Sequence, residues 1–469
     1  MVESRVAGPL SFQNFPPEII GEVFLHSLPD DRDFPKWGQP SVRIAPMLLC
    51  HVCSKWRTIA LRLPQLWMRL LHQSRVSNKG TSGTAVKRVR SCDLEFLAWW
   101  RSNLGENPLH LRFHMGWYER TRLFPINSSS NEKEVFIPLF AFVRHLELDW
   151  SALYAIGKCD TQVDGLKMFP LLETLCIHTE IRQVPPIFSE YPIRKLHIRR
   201  FVPEPDIFRK HILPWSSLTH FISADAYFLS GVWFDLFRAC VNLQSGYFKL
   251  CILNPPELGG NPARCTHHHL RQLAIAWNLP LGHGQYLLKN LFLPSLTALR
   301  ISLCLTAKHL HYILESTPSL VELHLGCEVA PDDIWDSPST SGVPDPLSKY
   351  IPNLQYLVIQ TDFSKYKSAP MYYVINLLTS PWLQLGEPTN NVRRLDIRFL
   401  ETSSKMVNKF RQKLNERLLL NPIHGLEVSI VHDYESIHWT SSTPFEKREA
   451  EYFENTEFWH RPRLGFGID

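Results

Sequence analysis

Long hydrophobic runs are missing from this 469-residue chain. None approaches the roughly 18 apolar residues that a membrane-spanning helix needs. Met1 leads through Val2, Glu3, Ser4 and Arg5 into no apolar stretch of signal-peptide length. A cytoplasmic or nuclear location, with no membrane partner, is therefore expected. A block of one charge sign is missing too: 50 Lys and Arg face 45 Asp and Glu, a formal net charge of +5. No dense basic segment interleaved with aromatics occurs, so nucleic acid is not an expected partner. Cysteine is sparse, 10 residues, and Cys176, Cys240, Cys251 and Cys304 sit in apolar stretches, where reduced buried thiols are the rule. G-x-S-x-G, P-loop, G-x-G-x-x-G and HExxH motifs are all absent. No catalytic residue, cofactor or metal is nominated, and the chain is expected not to be an enzyme.

The informative residues begin between Phe15 and Leu70. Ile19, Ile20, Val23, Phe24 and Leu28 are followed by Met47, Leu48, Val52, Trp56, Ile59, Leu63 and Leu66. Spacings of three and four predict short amphipathic helices. Pro16 and Pro17 suit a first helical turn, where no amide partner is lost. Pro29, Pro35 and Pro40 punctuate the loop after the first helix. A bundle of three helices this small seldom supports an independent core, so docking onto a partner is expected.

These residues carry a resemblance. Pro16-Pro17-Glu18-Ile19-Ile20, the Val23-Phe24 pair, Val52-Cys53-x-x-Trp56-Arg57 and the closing Pro64-x-Leu66-Trp67 resemble the F-box, and more narrowly the F-box-like proteins of mushroom-forming fungi. Phe15 stands where the family has leucine, and the loop from Pro29 to Arg43 is longer than in compact F-boxes. The resemblance covers about an eighth of the chain. It implies a surface for a Skp-type adaptor, and through it a cullin, formed by Pro16, Pro17, Ile19, Ile20, Val23, Phe24, Leu28, Leu48, Val52 and Trp56.

Residues 73–91 are polar, basic and glycine-containing, which predicts a linker. Asp93–Gly105 is expected to be a helix, and Leu109, Leu111 and Phe113 a strand. A pattern of apolar, two variable, apolar, one variable, apolar then recurs. It starts at Val143-Leu146-Leu148, passes through Leu273 and Leu299, and ends at Ile423-Leu426-Val428. Leu218-Phe221-Ser223 and Leu243-Gly246-Phe248 are weak copies. The mean period is about 28 residues, at the long end of the leucine-rich-repeat range. Each copy predicts one short strand, with helical patterns between copies at Val232–Val241, Gln285–Phe292, Lys308–Glu315 and Tyr372–Leu378. Repeated strand and crossover stack into a parallel sheet. Lys405–Leu420 is expected to be a terminal helix with an exposed basic face.

Some constellations invite chemistry. Cys50-x-x-Cys53 has zinc or redox spacing but no second pair, so packing is expected. His267-His268-His269 cannot all face one ion from a strand whose neighbours alternate sides. His145, Glu147 and Asp149, like Cys176, His178 and Glu180, lie on the non-leucine face of their strands. That face is expected to be an open surface for a protein substrate, through His197, Arg199, Arg300, His324, Tyr356 and Arg398.

The fold class expected is α/β: a short N-terminal three-helix F-box followed by a degenerate leucine-rich-repeat-like α/β solenoid. Its divisions are 10–72 (helical domain), 73–91 (linker), 92–432 (solenoid) and 433–469 (cap or tail). The resemblance implies a substrate-recognition subunit of a Skp–cullin–F-box ubiquitin ligase. The alternative is an interaction scaffold acting outside a ligase.

Overall fold

A computed structural model describes residues 15–28, 42–74, 91–115, 137–149, 152–153, 156, 162–163, 166–181, 186–204, 207–208, 212–228, 230–252, 264–277, 290–302, 313–327, 350–362, 391–400, 404–420 and 426–432. The chain forms two compact units, Met1–His178 with Glu190–Pro192, and Thr179–Ser189 with Ile193–Asp469.

The first unit opens with α1 (Pro17–Ser27), α2 (Met47–Val52) and α3 (Ser54–Leu61). Pro17 sits at the first helical position of α1 and Glu18 in its first turn, where a carboxylate opposes the helix dipole. Ile20, Gly21 and Phe24 turn inward, and the Phe24 ring meets Trp56 of α3 at 4.9 Å. Cys53 is extended between α2 and α3, and its Sγ accepts the Trp56 amide at 3.4 Å. The restart of the helix there has the form of an N-cap. The Arg57 Nε donates to the Cys50 carbonyl at 2.8 Å and ties α3 back to α2.

A tryptophan relay joins this bundle to the fourth helix, α4 (Ser91–Leu104). Fully buried Trp67 donates from Nε1 to the Ala60 carbonyl at 3.0 Å. Its own carbonyl accepts from Trp100 Nε1 of α4 at 2.7 Å. Trp99 and Trp100 both meet the Trp67 ring edge-on at 5.0 Å. Gly105, at φ +64°, stops α4 in the left-handed conformation that favours glycine. The expected helix over 93–105 is present with nearly these bounds.

The strands of the first unit are β1 (Arg69–Ser74), β2 (Leu109–Met115), β3 (Val143–Leu148), the small antiparallel pair β4 (Gln162–Val163) and β5 (Leu166–Lys167), and β6 (Thr174–Ile181). β1, β2, β3 and β6 pair in parallel in that order, placing Leu70, Leu111, Leu146 and Leu175 in one row. The pattern thus begins two strands before the first copy recognised in the sequence. β1 also crosses the expected boundary at residues 72–73, so the bundle runs directly into the sheet. Most of the expected linker, residues 75–90, lies outside the described residues.

The second unit contains β7 (Lys195–Phe201), β8 (His220–Phe228), α5 (Ser230–Ala239), β9 (Ser245–Ile252), β10 (Cys265–Thr266), β11 (Gln272–Trp277), β12 (Leu291–Phe292), β13 (Ala298–Ser302), β14 (Glu322–Cys327), β15 (Tyr356–Asp362), β16 (Arg394–Leu400), α6 (Ser404–Leu420) and β17 (Glu427–His432). β10 and β12 form a separate parallel pair; the remaining strands follow one another in chain order in a parallel sheet. Leu196, Phe221, Gly246, Leu273, Leu299, Leu323, Leu357 and Leu395 fall in register. The last copy is a correction: Leu395 and Ile397 pair with Val428 and Ile430, so β17 sits two residues beyond the Ile423-Leu426-Val428 frame.

The turn before each strand explains the recurrent proline. The first apolar amide of a copy donates to the carbonyl three residues earlier, as in Leu296→Leu293, Leu320→Thr317 and Leu354→Ile351. Pro294, Pro318 and Pro352 occupy the bend, where a missing amide costs nothing. Asn242 and Asn391 donate sideways to the Ser216 and Pro352 carbonyls of the preceding copies.

Of the expected crossover helices, α5 is present. Only the end of Lys308–Glu315, residues 313–315, is described, and it is helical; Tyr372–Leu378 lies outside the described residues. The described end of Gln285–Phe292 is strand β12 instead, paired with β10. α6 confirms the helix expected over 405–420, burying Val407, Phe410 and Leu414 and exposing Lys405, Lys409 and Arg411. The tail 433–469 is outside the described residues. Among those described, no helix is long and apolar enough to cross a membrane.

Candidate functional site

α1 and α2 partition their apolar residues in one way. Residues four apart stack on one helix face. On α1, Ile20 and Phe24 form the inner pair, 0% and 1% exposed; Ile19 and Val23 form the outer pair, 49% and 42% exposed. On α2, Leu49 and Cys50 are buried while Leu48 and Val52 are exposed. Pro16 and Pro17 are exposed, and Leu28 and Trp56 half-buried. Six of the eight exposed large apolar side chains among the described residues lie between residues 15 and 52. Apolar exposure concentrated this way makes the segment a candidate interaction surface. Ile20 and Phe24 are corrections to the expected adaptor-facing set: they build the bundle core and have no surface left for a partner.

The non-leucine face of the second unit differs more from expectation. His197, Arg300 and His324 are buried and Tyr356 is half-buried; the side chains of Arg199 and Arg398 lie outside the described set. Instead of an open recognition surface, the strands carry a buried polar network. His324 Nε2 lies 2.5 Å from Glu322 Oε1 on the same strand, and the His324 ring meets Tyr356 edge-on at 5.6 Å. The Tyr356 hydroxyl donates to Asp396, which is 1% exposed. Asp396 also accepts from Arg394 Nε at 3.0 Å, and the Arg394 guanidinium lies over the Tyr356 ring at 5.3 Å. Hydrogen bonding to Asp396 holds the Arg394 pKa above its usual value. Burial demands this pairing, because an isolated buried charge is costly.

The first unit has a smaller network. Glu147, buried on β3, lies 2.7 Å from His110 Nε2 and 3.5 Å from Arg112 Nε, and the His110 and His145 rings are 5.5 Å apart. Asp149 Oδ1 accepts the Ala152 amide at 2.8 Å and caps a turn. Cys176 is buried. In the histidine run, His268 and His269 are exposed, and His267 is buried with both ring nitrogens engaged: Nε2 with the Cys240 carbonyl at 2.9 Å, Nδ1 with the Leu270 amide at 3.1 Å.

Sequence reasoning passed over the first variable residue of each copy, at the rim where the strands begin. Arg194, Gln244, Arg271, Gln355 and Arg393 are all exposed there. The signal was available: this position immediately follows the first apolar residue of every copy. No known protein family and no curated protein matches the chain.

Proposed function

We propose that this chain is the substrate-recognition subunit of a Skp–cullin–F-box ubiquitin ligase. In this reading the helical bundle is an F-box that captures the Skp-type adaptor, and the parallel ladder is a degenerate leucine-rich-repeat-like solenoid that holds a target protein. The observation that carries it is the partition on α1 and α2. Ile20, Phe24 and Leu49 complete a small core, while Ile19, Val23, Leu48 and Val52 keep apolar surface exposed. Burying the exposed half of each such side chain against a partner contributes about 1 kcal/mol. Catalysis then comes from proximity: a tethered target meets the ubiquitin-charged enzyme at raised effective concentration.

The test is an affinity capture of the full chain beside an Ile19→Asp/Val23→Asp variant, blotting for adaptor and cullin. Both positions are exposed, so the variant is expected to stay folded. Adaptor and cullin with the wild type and neither with the variant supports the reading. Adaptor without cullin supports a scaffold outside the ligase, and equal capture by both proteins refutes the assigned face.

A further inference from the structure

The rim where the strands of the second unit begin carries three exposed arginines at one register position. Arg194 precedes β7, Arg271 precedes β11 and Arg393 precedes β16. Among the described residues, none of the three guanidinium groups has a side-chain hydrogen bond or ion pair. Their backbone carbonyls are occupied in the ladder, by Thr219, Thr297 and Glu427 amides respectively. The equivalent arginine of the first unit behaves differently: Arg144 Nε pairs with Glu173 of the next copy at 2.8 Å.

Among the described residues no carboxylate is bonded to the three; the nearest along the ladder is exposed Glu427, whose amide meets the Arg393 carbonyl and which pairs in register with Arg394. The rim positions between them are Thr219, Gln244, Thr297, Val321 and Gln355. The two turn residues before the first apolar position are also free of Asp and Glu in every copy from Leu218 to Val392. One residue further along the strands Glu322 is held by His324, and two residues beyond that row Asp396 is held by Tyr356 and Arg394. Over these eight strands the described rim residues are therefore cationic, amide-bearing or otherwise uncharged, and none of the three guanidinium groups is bonded to a described carboxylate.

We propose that this rim binds an extended acidic polypeptide segment, with Arg194, Arg271 and Arg393 each taking a carboxylate. This names the target chemistry of the receptor proposed above and rests on that reading. Neighbouring strands lie about 4.8 Å apart, so three strand steps separate Arg194 from Arg271 by about 14 Å and four separate Arg271 from Arg393 by about 19 Å. An extended peptide advances about 3.4 Å per residue, which sets acidic residues about four and six positions apart. Arginine is the residue whose planar fork matches a carboxylate in two hydrogen bonds. The exposed Gln244 and Gln355 side chains lie between the arginines, where they meet peptide amide groups. A nucleic acid would ask for denser positive charge and aromatic stacking platforms. The rim offers neither: no Phe, Tyr or Trp occupies these positions.

The experiment is a fluorescence-anisotropy titration of the full chain with three labelled probes: polyglutamate of about 15 residues, long enough to cover the roughly 34 Å from β7 to β16, polyglutamine of equal length, and a polyuridylate strand. Polyglutamate is expected to bind, to weaken with salt, and to lose about tenfold or more in affinity in an Arg194→Gln/Arg271→Gln/Arg393→Gln variant. Arg144→Gln is expected to leave binding unchanged. The proposal is overturned by absent polyglutamate binding, by equal binding of polyglutamine, by an unaffected triple variant, or by polyuridylate binding more tightly than polyglutamate. Thermal melting checks that the triple variant folds, and a single Arg271→Gln variant, expected to lose severalfold, serves if it does not. Adaptor capture depends on Ile19 and Val23 in a separate assay, so a failure at the rim and a failure of the ligase reading are told apart.

Discussion

His267 Nδ1 accepts the amide of Leu270 at 3.1 Å, the place that a backbone carbonyl takes in the neighbouring copies. Its Nε2 faces the Cys240 carbonyl at 2.9 Å and so carries the proton. A side chain has replaced a piece of main chain, and it binds one copy to the turn of the preceding one. Removing it leaves a buried amide and a buried carbonyl without this partner. His267→Ala is expected to lower the unfolding free energy by about 1–3 kcal/mol, measured by urea denaturation at neutral pH. An unchanged midpoint would mean that water restores both bonds.

The same geometry fixes a pH dependence. Burial holds the His267 pKa below its usual value. His220 is pushed down to about 4, first by burial and then by the charge of Lys195, its partner across β7 and β8. Both imidazoles are neutral in the fold but protonate near pH 6.5 when the chain is unfolded. Between those values the unfolded chain binds more protons, so stability falls as the pH drops from about 6.5 to about 4. His220 alone accounts for on the order of 2–3 kcal/mol of that loss. Unfolding free energies taken at intervals through this window check it, and His220→Gln is expected to flatten the slope.

Gly246 stands in the leucine row because of Phe248. A Cβ at Gly246 would lie 2.7 Å from Cε2 of the Phe248 ring, which is wedged between Trp233 at 5.0 Å, Phe221 at 5.5 Å and Phe237 at 6.3 Å. The ring fills the space that leucine fills in other copies. With aromatic walls around it, it has little room to yield. Gly246→Ala is therefore expected to destabilise by about 1–3 kcal/mol, read from the shift in denaturant midpoint. Gly246→Ala combined with Phe248→Leu should recover part of that loss.

Much of the ladder was legible because its apolar period is strict wherever one strand face is buried. The last copy slipped by two residues because Leu426 and Val428 satisfy the same pattern as Val428 and Ile430; only pairing with Leu395 and Ile397 decides between them. Ile19 and Ile20 are the same residue type side by side, so composition cannot say which faces inward. Helix phase relative to Trp56 decides that. Burial of Arg300, His324 and Asp396 was not legible, since alternation identifies the second face of a strand but not whether that face is covered. The arginine rim was legible in principle, but its meaning depends on Glu173 pairing with Arg144 and on no described carboxylate pairing with the other three.

The relay from Ala60 through Trp67 to Trp100 predicts that the helical bundle does not stand alone. Trp67 is sealed on one side by the bundle and on the other by Trp99 and Trp100 of α4. β1 begins two residues later and pairs with β2 along its whole length. Cutting the chain at residue 72 would strip Trp67 of both tryptophans, remove the donor to its carbonyl and leave Leu70 without its partner Leu111. A fragment of residues 1–72 is thus expected to lack cooperative unfolding and to bind a hydrophobic dye. A fragment of residues 1–178 keeps α4 and the first strands and should show a sigmoidal melt. Within the full chain, Trp100→Phe keeps most of the packing but loses the hydrogen bond at 2.7 Å, at a cost of about 1–2 kcal/mol. A cooperative melt from the shorter fragment would show that α1, α2 and α3 fold without the sheet, and would assign the relay to orientation rather than stability.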